Sequence, residues 1–256
     1  MKNKIVITIL IFTLVFIGTY YHTNTLVITN HRIKLGNQNK KIKIAHVSDI
    51  HSSKIDQLEK QLFSALKEIN PDVIFITGDL ATPQANQEGY LEIIKNFSAP
   101  LGVFFVLGNW EYWEPVNNLV NLLKNNHIHF LKNKIFKLNN EITIIGFDDS
   151  EEGSPELNLH KRIDNEKINI GLFHSPIYFE KTASFLDLNF SGHTHGGQIR
   201  LPFLGGLWLP QGSGNYDQGW FSKNNSKMYV SRGIGTSIIP IRFNCSPELA
   251  IIELEY

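Results

Sequence analysis

The chain reads as an α/β domain with buried sheets and helices outside, preceded by an apolar N-terminal segment. β-Branched runs that read as strands alternate with stretches whose apolar residues recur at helical spacing, and this alternation predicts the domain. The N-terminal segment stands apart because Ile5 to Tyr21, IVITILIFTLVFIGTYY, carries no charge.

A helix of about 17 such residues just reaches across a bilayer core. A signal peptide has a shorter apolar stretch and a small-residue cleavage site. Here the stretch closes on Gly18-Thr19-Tyr20-Tyr21, without an A-x-A pattern and with two tyrosines of the kind found at membrane interfaces. An uncleaved single-pass anchor is the favoured reading. Lys2 and Lys4 argue for an N-terminus inside, whereas Arg32, Lys34, Lys40 and Lys41 argue for keeping the other flank inside, so the side carrying the domain stays open.

Residues 22–40, with the polar Gly36-Asn37-Gln38-Asn39, read as a linker or a first strand, and the domain proper is expected over 41–256. KIKIAHVSD predicts a strand from Lys41 to near Asp49. Ile55, Leu58, Leu62, Phe63, Leu66 and Ile69 follow at helical spacing, and Asn70-Pro71 stops that helix before a strand at Val73 to Gly78. A weaker helix over Tyr90 to Phe97 leads to a strand at Gly102 to Gly108, and a third helix runs from about Pro115 to Asn125. Further strands are expected at Glu141 to Phe147, Ile168 to Phe173, Leu188 to Ser191, Met228 to Ser231 and Leu249 to Leu254.

With 256 residues, 42% hydrophobic and 19% charged, the chain can build one good-sized core. Lys plus Arg number 24 and so do Asp plus Glu, which leaves no global field for a polyanion and indicates no nucleic-acid partner. The single cysteine, Cys245, excludes an internal disulfide and any Cys-rich zinc motif, and reads as a small buried residue.

Chemistry gathers at the C-terminal ends of the expected strands: Ser48-Asp49-Ile50-His51, Gly78-Asp79, Gly108-Asn109, Phe173-His174 and Gly192-His193-Thr194-His195-Gly196-Gly197-Gln198. Loops at such ends converge on one crevice in open α/β sheets. Carboxylate, imidazole and amide oxygen suit borderline divalent ions, and Asp-x-His and His-x-His can aim alternate residues at one point. Any one of these residues alone reads as a turn former or a structural residue; the ordered set does not.

The order D-x-H, G-D, G-N, H, G-H-x-H resembles the calcineurin-like metallophosphoesterases, from Lys41 to the end of the chain. GHTHGGQIRLPFLG at Gly192 to Gly205 and SRGIGTSIIPIRFN at Ser231 to Asn244 are similar to a membrane-associated bacterial branch that includes UDP-2,3-diacylglucosamine hydrolases. The resemblance implies a four-layer α-β-β-α sandwich of two mixed sheets flanked by helices, anchored in the bacterial inner membrane by the preceding transmembrane helix. It also implies two divalent metal ions (Mn, Zn or Fe), one held by Asp49, His51 and His195, the other by Asn109, His174 and His193, with Asp79 bridging. Asp79, Asn109 and His174 would then serve catalysis, with a metal-bound hydroxide attacking a phosphate-containing small molecule or lipid. No G-x-S-x-G or P-loop is present.

One position departs from the family. Its third motif is Gly-Asn-His-Asp or Gly-Asn-His-Glu, whereas this chain has Gly108-Asn109-Trp110-Glu111. An indole donates one N–H hydrogen bond but is no general acid, so Trp110 is assigned to substrate contact. Arg232 and Arg242 read equally as forked donors to a substrate phosphate and as partners of Glu or Asp. His46, His127 and His129 read as structural or surface residues, and His22 and His31 fall beside the anchor. The apolar segment Leu201 to Trp220 reads first as cover for a sheet edge and second as a contact for an acyl chain or lipid. The expected activity is hydrolysis of a phosphodiester or diphosphate; the alternatives are a phosphomonoesterase or protein phosphatase with the same centre, and a metal-binding scaffold impaired by Trp110.

Overall fold

A computed structural model describes residues 2–36, 39–82, 87–113 and 116–256; Asn37 and Gln38 of the polar stretch and Pro115, the expected start of the third helix, lie outside them. Helix α1 (Lys2–Asn24) has 23 residues, about 34 Å at 1.5 Å per residue, against a bilayer core of about 30 Å. Its span Lys4–Asn24 is long and apolar enough to cross a membrane by length and composition. No acidic side chain and no polar stripe interrupts it between Ile5 and Ile17. A helix apolar on all sides needs an apolar environment on all sides.

After α1 come β1 (Val27–Lys34), β2 (Lys41–Val47), α2 (Gln57–Ile69), β3 (Val73–Thr77), α3 (Gln87–Ile94), β4 (Val103–Val106), α4 (Val116–Asn125) and β5 (Ile128–Phe130). The second half runs β6 (Lys134–Lys137), β7 (Ile142–Gly146), β8 (Ile168–Leu172), α5 (Phe179–Thr182), β9 (Leu188–Ser191), β10 (Arg200–Leu201), β11 (Gly205–Gly206), β12 (Gly219–Lys223), β13 (Ser226–Val230) and β14 (Glu248–Glu255). Helix α2 starts where Glu59 accepts the Asp56 N–H at 2.9 Å, and it stops at Asn70, whose left-handed φ of 47° turns its N–H back to the Leu66 carbonyl.

Among the described residues two six-stranded sheets form, in the orders β1-β14-β2-β3-β4-β5 and β12-β13-β9-β8-β7-β6. Both are mixed: β2 to β5 run parallel while β14 is antiparallel to β2, and β7, β8, β9 and β13 run parallel with antiparallel edges β6 and β12. The sheets face each other across Ile44, Phe75, Phe104, Ile144, Leu172, Phe190 and Ile252. Ala45, Ile74, Ile76 and Phe105 point the other way, under Leu62 and Leu66 of α2, Ile93 of α3 and Leu123 of α4. The far face of the second sheet packs Phe147, Phe173 and Val230 under short helical turns that carry Leu159, Tyr178 and Phe179. This is a mixed α/β two-sheet fold.

The expected strands lie where the sequence places them, with ends that shift by up to two residues, and the helix expected over Tyr90 to Phe97 begins earlier, at Gln87, and ends at Ile94. The segment read as a linker or a first strand contains β1, which pairs in parallel with β14 along its whole length. Strands β5, β6, β10, β11 and β12 have no counterpart in the sequence reading. β10 and β11 have two residues each and β5 three, too few to show alternation, while β6 and β12 are edge strands that end on a lysine.

Candidate metal centre

Each predicted ligand follows the carboxyl end of a strand: Asp49 and His51 after β2, Asp79 after β3, Asn109 after β4, His174 after β8, and His193 and His195 after β9. β2, β3 and β4 lie side by side in one sheet and β8 and β9 in the other, so the stacked sheets deliver the loops to one place. The approach is close. A Cβ at Gly192 would collide with the Ser48 and Asp49 side chains, and one at Gly108 with the Asp79 carboxylate.

The backbone is strained where the donors sit. Asp49, His51, Asp79, His193 and His195 have φ of 52°, 46°, 54°, 72° and 50°, a left-handed region that residues with a Cβ seldom adopt. Such strain persists only where surrounding contacts over-determine it, and it concentrates at functional sites.

Two groups of donors result: Asp49, His51 and His195, and Asp49, Asp79 and His174, with ligand atoms in each within 4.8 Å of one another. Asp49 belongs to both groups, and Asp79 Oδ2 lies 3.4 Å from His51 Nε2 of the first and 3.3 Å from His174 Nε2 of its own. His174 Nε2 is also 3.1 Å from Asn109 Oδ1 and 3.1 Å from His193 Nδ1, while His51 Nε2 and His195 Nε2 are 3.0 Å apart. The structure therefore brings all the predicted ligands together.

Carbonyls behind the ligands fix two of the imidazoles. His174 Nδ1 donates to Thr77 O at 2.7 Å and His193 Nε2 to Gln211 O at 2.5 Å, which turns His174 Nε2 and His193 Nδ1 toward the centre. Asp49 accepts the His193 N–H with both oxygens at 3.0 Å, and Asp79 Oδ1 accepts the Trp110 N–H at 3.0 Å.

The buried ionisable groups shift one another strongly. Burial, opposed by His174 and reinforced by Asp79, pushes the Asp49 carboxyl up to about 6. Burial also works against ionised Asp79, but the His174 charge and hydrogen bond, then His51 and the Trp110 N–H, hold it below the usual carboxylate range. Burial would lower His174; Asp79, Asp49 and Asp149 outweigh it and hold that imidazole well above its ordinary value. Burial lowers His51 and His193 to about 4, with His174 adding to the effect on His193, and burial, then His51 and Arg242, hold His195 well below normal. The carboxylates thus draw a proton onto His174 and leave three imidazoles in the neutral, ligating form. Two carboxylates, an amide oxygen and four imidazoles fit a pair of borderline divalent ions.

The sequence reading gave Glu111 no role. It is buried, and its carboxylate accepts the N–H groups of Asp79 at 2.9 Å, Leu80 at 2.7 Å and Gly108 at 2.7 Å, tying two ligand loops together. Its place in the Gly-Asn-Trp-Glu motif was the available signal. Trp110 packs its ring against His51, 4.1 Å between centroids, and stacks on Trp113 at 4.9 Å.

The two arginines are placed behind the site rather than in it. Arg242 is fully buried and donates to the carbonyls of Gly235, Arg232, His195 and Cys245, with Nη2 3.3 Å from His195 Nδ1. Arg232 pairs with Glu248 at 3.2 Å. Neither lines the cavity over the ligands, because their forked N–H groups already serve protein oxygens. His46 is buried against Phe190 and meets the Thr77 hydroxyl at 2.9 Å, and Cys245 is buried and free.

That cavity, of about 450 Å³, has Asp79, Asn109, His193 and His195 at its floor and Trp110, Trp113, Leu207, Trp208, Ile238 and Ile239 along its walls. Residues 42–197 match the sequence profile of the family described as "Calcineurin-like phosphoesterase". The chain belongs to that family. It is a metal-dependent phosphoesterase, and calcineurin-like phosphoesterases use a dinuclear metal centre.

Similar proteins agree. An Aquifex aeolicus protein described as an uncharacterized metallophosphoesterase is 29% identical over 95% of this phosphoesterase and 98% of its own length. The Bacillus subtilis metallophosphoesterase YkuE is 30% identical, covering 83% of this chain and 79% of its own. The Escherichia coli phosphodiesterase YaeI is 28% identical over 83% and 82%. Among solved structures, the protein TT1561 of Thermus thermophilus superposes with a TM-score of 0.51 at 13% identity, over 76% of this chain and 91% of that one, which shows the shared fold alone.

Proposed function

We propose that this phosphoesterase hydrolyses a phosphodiester or diphosphate bond in a lipid-linked substrate of the UDP-2,3-diacylglucosamine type, while α1 holds it by a single pass in the bacterial inner membrane. The observation that carries this reading is the cavity itself: a floor of metal donors beneath walls of tryptophan, leucine and isoleucine. A pocket for a small polar phosphate has little use for such walls, whereas an acyl or base-bearing substrate does.

In this reading Asp49, His51 and His195 hold one cation and Asn109, His174 and His193 the other, with Asp79 between them; manganese, zinc or iron all suit the donors. Two such cations, when bound, lower the pKa of a shared water and neutralise the phosphoryl oxygens. The chain's own residues do the rest. Asp79 supplies the charge that draws both cations together, Thr77 O and Gln211 O keep His174 and His193 aimed inward, and Asn109 offers a neutral oxygen at the cavity floor. Arg242 acts as a positioning residue behind His195, and the Trp110–Trp113 stack offers an apolar face to the substrate. Residues 41–256 form the catalytic unit, with β1 completing its first sheet.

The test is metal analysis of the purified protein together with hydrolysis of UDP-2,3-diacylglucosamine, a nucleotide diester and a phosphate monoester. Preferred turnover of the diphosphate lipid supports the reading. Preferred turnover of the monoester replaces it with the phosphomonoesterase reading.

A further inference from the structure

The segment Leu201 to Trp220, read from sequence first as cover for a sheet edge, does something else at its start. Phe203, Leu204, Leu207 and Trp208 are exposed by 107, 75, 58 and 60%, and across the cavity mouth Ile238 and Ile239 are exposed by 78 and 51%. Phe203 sits at the tip of the β10–β11 hairpin with a φ of 67°. A bulky residue in the left-handed region, holding its ring wholly in the open, is strained with no packing inside the chain to compensate.

These side chains are not scattered. Leu207, Trp208, Ile238 and Ile239 form the outer wall of the metal cavity. Gln198, three residues beyond His195, clamps the isoleucine loop to the ligand loop: its side-chain amide donates to the carbonyls of Ile239 at 2.7 Å and Ile241 at 3.1 Å, and its oxygen accepts the Ser237 N–H at 2.6 Å.

The same face is bound to α1. Phe243 bridges to Ile199, with Arg200 N–H on Phe243 O at 3.0 Å and Phe243 N–H on Gln198 O at 2.9 Å, just where the hairpin begins. The Phe243 ring lies against Gly18 and His22 of α1. His22 Nδ1 meets the Ser246 hydroxyl at 2.8 Å, and the Arg242 N–H donates to Thr23 Oγ1 at 2.8 Å. The last turns of the apolar helix are therefore fastened beside the apolar mouth.

We infer that the hairpin tip at Phe203 and Leu204 and the loop at Ile238 and Ile239 dock into the surface of the bilayer that receives α1, so that the metal cavity opens onto the lipid headgroups. The inference rests on the membrane reading of α1 given above and extends it: the anchor fixes orientation as well as location. A helix about 34 Å long ends near a bilayer surface, and residues held against its last turns are held at that surface. The substrate class that follows is a phosphate-bearing lipid that enters between Leu207–Trp208 and Ile238–Ile239 without leaving the membrane.

The experiment uses the full chain in vesicles of phosphatidylethanolamine and phosphatidylglycerol. Because Cys245 is buried, Phe203→Cys, Ile238→Cys and, as a control, the exposed Lys181→Cys each give one reactive thiol for an environment-sensitive fluorophore. Probes at 203 and 238 are expected to lose most of their emission to doxyl-labelled lipid and to resist aqueous iodide, with the reverse at 181. Phe203→Asp with Leu204→Asp, neither of which lines the cavity, is expected to slow hydrolysis of a vesicle-embedded lipid phosphate about tenfold or more, leaving hydrolysis of soluble bis(p-nitrophenyl) phosphate unchanged. Iodide-accessible probes that doxyl lipid does not quench overturn the docking. Shielding from both quenchers that grows with the protein-to-lipid ratio overturns it in favour of a second copy on this face. Lipid quenching without lipid hydrolysis keeps the docking and removes the substrate reading, and no turnover even of the soluble diester removes the proposed activity separately.

Discussion

Glu111 holds Asp79 in place through the backbone: its Oε2 accepts the Asp79 N–H at 2.9 Å and the Gly108 N–H at 2.7 Å. One carboxylate thereby fixes the loops after β3 and β4 and sets the position of Asp79, whose Oδ2 reaches both His51 and His174. Three N–H donors favour its ionised form, while burial and then Asp79 oppose it and push the carboxyl up to about 7.

Glu111→Gln keeps the shape and spoils this arrangement, because one oxygen becomes an NH₂ that faces backbone N–H groups. The expected cost is about 1–3 kcal/mol of stability, together with weakened metal retention. Urea unfolding and metal content after dialysis measure both. Unchanged values for both would mean that Glu111 does not organise the loops.

In the metal-free protein the buried neutral imidazoles work against stability on mild acidification, while the raised carboxyls of Asp49, at about 6, and Glu111, at about 7, and the raised His174 work the other way. Burial lowers His46 to about 3 and His51 and His193 to about 4, so below 6.5 the unfolded chain takes up protons that the folded chain refuses. Stability from these groups is present above pH 6.5 and is lost as pH falls toward 4. Each contributes a slope of up to about 1.4 kcal/mol per pH unit. NMR titration of the histidine ring protons in chelated protein gives the check, and His46, His51 or His193 rings that protonate near 6.5 contradict the assignment of neutral imidazoles.

Trp110 bears on the choice of substrate. An alkoxide leaving group is strongly basic and gains much from a proton donor, whereas a departing phosphate, with a second pKa of about 6, needs little help. With an indole in place of the family's histidine, alkyl ester hydrolysis should suffer far more than diphosphate cleavage. Trp110→His should raise kcat on alkyl diesters by about a hundredfold, the low end of what a positioned acid supplies, and change diphosphate cleavage little. Equal gains on both substrates would show the leaving-group argument to be mistaken.

Much of this was legible in the sequence because the chemistry sits at strand ends. Asp49, Asp79, Asn109 and His174 each follow a strand carrying β-branched residues, His193 and His195 follow the shorter Leu188–Ser191, and glycines beside Asp79, Asn109 and His193 mark the close approach. What the sequence hid depends on contacts between distant segments. The buried Arg242 looks the same in sequence as an arginine poised for phosphate, since only the fold shows that carbonyls surround it. Glu111 sat in plain view within its motif, but its three N–H partners come from two loops that lie side by side only in the sheet. The β10–β11 hairpin and the edge strands β6 and β12 are too short or too charged for periodicity, and β1 finds its partner at the far end of the chain.

The central claim is a two-cation site with Asp79 between the cations, and metal stoichiometry tests it most directly. Wild-type protein should retain two divalent ions per chain after exhaustive dialysis. Asp79→Asn, which removes the charge that lies 3.4 Å from His51 and 3.3 Å from His174, should retain one or none and lose nearly all hydrolysis, with its circular dichroism unchanged. Asp79→Asn protein that keeps two ions per chain and full turnover would contradict the account.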